Sequence, residues 1–187
     1  MGNRTDHQCG GTLISSCWAI TAAHCVKHFS EGSYYDNRGG FQYWLRADVG
    51  TRFRTPRDDD SGRQSLYIRN IIIHEGYKET GRRTGSQNDI ALLQLYPSEE
   101  TGQCVIFTPS AQPACLTSDT DRFDSATRCA ISGWGDTSTK YSGIQYSEIL
   151  QITNVNLQDF AVKFQRMKLF LILFGRCVKK NISPESI

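Results

Sequence analysis

No apolar run in this chain of 187 residues approaches the length of a bilayer span. The longest, Leu169 to Phe174, falls far short of the roughly 20 residues that a spanning helix needs. The stretch Met1 to Gly11 has no apolar core, so it does not read as a secretory leader. The formal net charge is only +2, and Lys and Arg are scattered without forming a stripe, which leaves no surface for nucleic acid. No Cys-x-x-Cys spacing occurs, so no metal centre and no cofactor are expected. There is no internal repeat and no low-complexity tract.

What the chain does hold is cysteine. The seven stand at positions 9, 17, 25, 104, 115, 129 and 177. Scattered in this way, they fit disulfides formed in an oxidising compartment. Their odd number leaves at least one without a partner inside the chain. Asn3-Arg4-Thr5 and Asn181-Ile182-Ser183 are glycosylation triplets, the second weakened by Pro184, and add little. Apolar residues make up 39% and charged residues 21%, a balance that suits one globular domain with a real core.

The periodicity is mostly that of strands. Cys9–Ser16, Trp18–Thr21, Tyr43–Val49, Ser65–Ile73, Ile90–Leu95, Cys129–Ser132 and Ile149–Val155 read as strands, with a short Ala-Ala-His-Cys turn after the second. Polar loops separate them at Phe29–Gly40, Thr51–Gln64 and Glu75–Asn88. Short strands between polar turns predict an all-β barrel or sandwich. Tyr96–Arg128, with Pro97, Pro109 and Pro113, reads as a connection between two units. From Gln158 onward the chain turns basic and aromatic. Phe160, Phe164, Met167 and Leu171 keep helical spacing, which admits either an amphipathic membrane-surface helix or, the preferred reading, a non-native tail.

One histidine stands in an unusual setting. Cys9-Gly10-Gly11-Thr12-Leu13-Ile14 is followed by Thr21-Ala22-Ala23-His24-Cys25. Together these strings resemble the region around the catalytic histidine of trypsin-like serine proteases. Asp89, in Asn88-Asp89-Ile90-Ala91-Leu92-Leu93, is similar to that family's triad aspartate. Ile131-Ser132-Gly133-Trp134-Gly135 resembles a strand of its second barrel, where Ser132 is a sheet residue and no nucleophile. The resemblance covers about Cys9 to Leu157. It implies an all-β, trypsin-like double β-barrel, the first barrel nearly complete but missing its first strand and the second only partial. It places the first barrel at about 8–95, the connection at 96–128 and the start of the second barrel at 129–157, with 158–187 a divergent tail.

The same resemblance assigns roles. His24 would be the general base, and Asp89 would accept a hydrogen bond from its Nδ1–H, fixing the tautomer and stabilising the imidazolium. A Cys9–Cys25 bridge would tie the histidine turn to the preceding strand. Cys17, directly before Trp18, is a feature of the kringle-bearing mosaic proteases, which pair it as Cys17–Cys104 would pair here. Cys115 resembles the cysteine that tethers such a domain to upstream modules. Cys115, Cys129 and Cys177 are then unpaired within the chain.

The family's Gly-Asp-Ser-Gly-Gly-Pro motif does not occur. Asp60-Ser61-Gly62 imitates it, but it lies between His24 and Asp89 in chain order, in an acidic loop. The activation motif Ile-Val-Gly-Gly is absent too. The expected reading is an internal piece of a secreted, extracellular serine endopeptidase acting on protein or peptide substrates, truncated at both ends and inactive for want of its serine. The alternative is a non-catalytic homologue serving as a protein-binding decoy or scaffold. Membrane contact by the tail is not expected. The abrupt change near Leu157 is what a retained intron or a gene-model error would produce, and transcript reads across the codons of Leu157 to Asp159 would settle it.

Overall fold

The computed structural model describes residues 7, 9–30, 45–79, 86–116, 128–137, 145–156 and 177–178. Along the chain run β1 (Thr12–Ser15), β2 (Trp18–Thr21), α1 (Ala23–Ser30), β3 (Arg46–Val49), β4 (Gln64–Ile73), β5 (Lys78–Glu79), β6 (Ser86–Gln87), β7 (Ala91–Leu95), β8 (Arg128–Gly133), β9 (Gln151–Asn156) and β10 (Cys177–Val178). The architecture is all-β with one helix among the described residues, as a trypsin-like fold requires. A five-stranded antiparallel sheet has the order β1-β2-β7-β4-β3, and a three-stranded one has the order β10-β8-β9.

β7 is central because alternate residues of it bury two ways. Ala91, Leu93 and Leu95 are buried, while Leu92 and Gln94 are half-buried between them. The register sets Leu93 against Ala19 of β2 and Ile71 of β4. β4 alternates at its start, burying Leu66 and Ile68 while Ser65 and Tyr67 face outward. These side chains join Leu13, Ala19, Ala23, Val26, Cys104, Val105 and Ala111 in one core. A Cys17–Cys104 disulfide lies against that core and fastens the β1–β2 turn to the chain beyond β7. The same junction carries backbone bonds from Leu95 N–H to the Cys17 carbonyl and from Val105 N–H to the Ser16 carbonyl.

The turn expected at Ala22–Cys25 is instead the start of α1. Ala23 is wholly buried and Val26 nearly so, which docks one face of the helix on the core. Lys27 and His28 lie in its last turn, where positive charge is favourable to the helix dipole. The loop after β4 also holds a small ladder, β5 with β6, that periodicity did not reveal.

Among the described residues, a local clip joins the approach to β9 to the loop between β3 and β4. Phe53 bridges Ile149, Arg54 N–H donates to the Glu148 carbonyl, and Leu150 N–H donates to the Arg52 carbonyl. Trp134 Nε1–H also donates to the Arg52 carbonyl, at 3.0 Å. The helically spaced residues from Phe160 to Leu171 lie outside the described residues, as do both glycosylation triplets. No described helix is long and apolar enough to cross a membrane.

Candidate active site

His24 sits in the first turn of α1, and Asp89 sits two residues before β7. Their separation along the chain is 65 residues, yet β2 and β7 are paired neighbours, with Thr21 opposite Ala91. That pairing carries the entry to α1 and the entry to β7 to the same end of the sheet. Asn88 adopts a left-handed conformation (φ 50°), which asparagine tolerates better than most residues. Its Nδ2 donates to the Gly76 carbonyl, and its own carbonyl accepts from Ile90 N–H, making a tight turn that aims Asp89 at the helix.

Asp89 is buried and grips His24 twice. Oδ1 accepts the backbone N–H of His24 at 2.8 Å, and Oδ2 accepts from Nδ1 at 2.7 Å. The first bond satisfies one of the amides that a helix start leaves without an intrahelical partner. The second puts the ring proton on Nδ1 and leaves Nε2 as the basic nitrogen. The imidazole is a quarter exposed, while the carboxylate is only 4% exposed. A histidine held in one tautomer, backed by a buried carboxylate and open to solvent, has the arrangement of a general base.

The bridge beside it links Cys9 to Cys25 at 2.02 Å. Thr21 Oγ1 donates to the Gly10 carbonyl, so the Cys9 segment is held to β2 as well as to α1. Nε2 of His24 lies 3.4 Å from Cys25 Sγ, a contact that the sequence did not suggest.

Ser61 lines a polar cleft with Thr51, Asp60 and Ser110, and neither His24 nor Asp89 lines it. Ser132 lies within β8, in register with Ile152. Of the acidic run, Asp58 and Asp59 are exposed, while Asp60 is held by Arg63. Arg63 donates from Nε to Asp60, from Nη1 to Asp48, and from Nη2 to the carbonyls of Phe53 and Thr55. Cys115 is an exposed free thiol. In the second sheet the register places Cys129 opposite Cys177.

Glu148 belongs to the local clip and was not singled out from the sequence. Its carboxylate takes the Thr55 hydroxyl and, at 3.0 Å, the Thr55 N–H, and it pairs with Arg54 at 3.1 Å. The bonds from the Thr55 side chain and backbone, then the Arg54 charge, pull its pKa below the ordinary value of 4.5. Only a partner 94 residues away makes it recognisable.

An antiparallel β fold with a buried-carboxylate–histidine dyad at one sheet end can present an oriented imidazole base. Comparison with known proteins supplies the family. A model of the Trypsin family matches residues 1–171, and the chain belongs to that family. Ovochymase of Halocynthia roretzi is 34% identical over 132 residues, which cover 69% of this chain and 7% of that protein. The chain thus spans under a tenth of the relative's length.

Proposed function

We propose that this chain is the base-bearing portion of a secreted serine endopeptidase, and that these 187 residues alone hydrolyse no peptide bond. The carrying observation is the 2.7 Å contact between His24 Nδ1 and Asp89 Oδ2. In a complete site of this kind, Nε2 takes the proton of a serine Oγ as it attacks the scissile carbonyl. The same nitrogen then returns the proton to the departing amine, while the Asp89 carboxylate stabilises the imidazolium between the two steps. The motif that would carry the serine does not occur here, and the positions of Ser61 and Ser132 support neither as a substitute. Loss of the nucleophile alone removes roughly a millionfold of turnover in a triad enzyme.

The finer reading follows the resemblance. Ile14-Ser15-Ser16-Cys17-Trp18 and Gly133-Trp134-Gly135-Asp136-Thr137, with Tyr141-Ser142 following, look closest to neurotrypsin. The first barrel would occupy about 8–95, the connection 96–128 and the start of the second barrel 129–157; the family match itself runs on to residue 171. Exposed Cys115 would tether upstream modules of a mosaic protein in the extracellular space.

The test compares this chain with a longer product of the same locus that continues past Leu157 into a serine motif. The longer product should cleave peptide substrates and lose that activity on His24→Ala or Asp89→Asn, while the shorter chain cleaves nothing. Equal cleavage by both would refute the assignment. Inactivity of both, with tight binding of a protein partner, would favour the scaffold reading.

A further inference from the structure

His24 has a second neighbour that peptide hydrolysis does not use. Its Nε2 lies 3.4 Å from Cys25 Sγ, within the range of a hydrogen bond to sulfur, while Nδ1 is held by Asp89 at 2.7 Å. Sulfur, imidazole and carboxylate therefore stand in line. Cys25 is covalently occupied by Cys9, and the sulfurs of both cysteines lie within 4.8 Å of a His24 ring nitrogen. All three residues are partly exposed, so small solutes can reach them.

We propose that Cys9–Cys25 is a redox-controlled thiol site: reduction unmasks Cys25 as a nucleophile with His24 as its base and Asp89 orienting that base, Cys9 acts as the resolving thiol, and the partners are low-molecular-weight thiols and disulfides. An imidazole acceptor beside a thiol favours the thiolate, which is the nucleophilic form. With the Nδ1 proton fixed on Asp89, the lone pair of Nε2 takes the Cys25 proton. The resulting thiolate attacks a small disulfide RS–SR. One Cys25–S–SR bond forms, the RS–SR bond breaks, and RS⁻ leaves with a proton. The Cys9 thiolate then attacks Cys25 Sγ, restoring the Cys9–Cys25 bond and releasing the second RS⁻. Overall, two protein thiols are oxidised by two electrons and one RS–SR is reduced to two RSH. The reverse, with two equivalents of a thiol, opens the site, and the departing Cys25 thiolate is stabilised by the proton on Nε2. A reactive, accessible thiol poised beside a resolving cysteine is the arrangement of redox-sensing pairs. The site needs no serine, so it stands apart from the peptidase reading.

The experiment uses the full chain, reduced by a phosphine in native buffer, pulsed with iodoacetamide near pH 6 and mapped by peptide mass spectrometry. Cys25 should alkylate at least about tenfold faster than Cys9, because an ordinary thiol is almost wholly protonated there. The advantage should vanish in denaturing urea and shrink in Asp89→Asn. Glutathione disulfide should leave wild type with a restored Cys9–Cys25 bridge, and Cys9→Ser with a glutathione adduct on Cys25. Equal alkylation of Cys9 and Cys25 in the folded wild type would overturn the proposal. So would an unchanged Cys25 rate in a folded Asp89→Asn. Should that variant fail to fold, the comparison between native and urea-treated wild type decides the matter.

Discussion

Asp89 holds His24 at two points, and the two can be separated by substitution. Asn in place of Asp89 keeps an oxygen for the His24 backbone N–H but sets an amide against Nδ1, whereas Ala leaves both donors without their acceptor. Unmet donors in a buried setting cost about 1–3 kcal/mol each. Asp89→Ala should therefore lower the unfolding free energy in urea by more than Asp89→Asn, and nitrogen NMR should show the His24 tautomer losing its fixed Nδ1–H in both. Gly50 is constrained in a different way. It has φ +73°, and a Cβ added there would lie 2.4 Å from the Gly62 carbonyl oxygen. Gly50→Ala should cost at least about 1–3 kcal/mol, measured in the same urea titration. His24 and Asp89 were legible in the sequence because each sits in a long motif. Arg63 was not, because it meets loop carbonyls and carboxylates that no motif marks, and Glu148 was not, because its partners Thr55 and Arg54 lie 93 and 94 residues away.

At the scale of elements, strands were legible where apolar alternation met polar turns, as in β4, and where a motif crossed them, as in β2, β7 and β8. α1 was not, since its first turn depends on an acceptor from Asp89, 65 residues away, and on burial of Ala23 against strands formed elsewhere. The two disulfides close loops of different length, with separations of 16 for Cys9–Cys25 and 87 for Cys17–Cys104. In the chain-entropy view the shorter loop contributes about 3 kcal/mol and the longer over 4. Replacing Cys17 and Cys104 by serine should accordingly lower the thermal midpoint more than replacing Cys9 and Cys25. The Glu148 clip adds a pH dependence. Its pKa is lowered in the folded state, so its contribution is fully present above the ordinary value of 4.5 and is lost as pH falls through the lowered one. Being exposed to solvent, the pair contributes modestly and is weakened by salt. Thermal midpoints taken from pH 6 down to pH 3 should fall less steeply in Glu148→Gln than in wild type.

Taken whole, the described chain has a well-buried first sheet and an exposed flank on the second. Ile152 is 74% exposed, with Tyr146 and Ile149 each more than half exposed, and β9 lies at a sheet edge. An edge strand that exposes an apolar side chain such as Ile152 is a template for pairing with other chains. Sedimentation should show wild type self-associating and Ile152→Lys shifted toward monomer. The family was legible from residues 9–25 and 88–93 alone, because a catalytic base needs rigid neighbours and those neighbours leave a dense local pattern. The central claim is a base in place without a serine to serve. A fluorophosphonate probe, which reacts with activated serines, tests it most directly on the purified, folded 187-residue chain. No labelling above a heat-denatured control is the outcome expected. Stoichiometric labelling of any serine, abolished by His24→Ala, would contradict it.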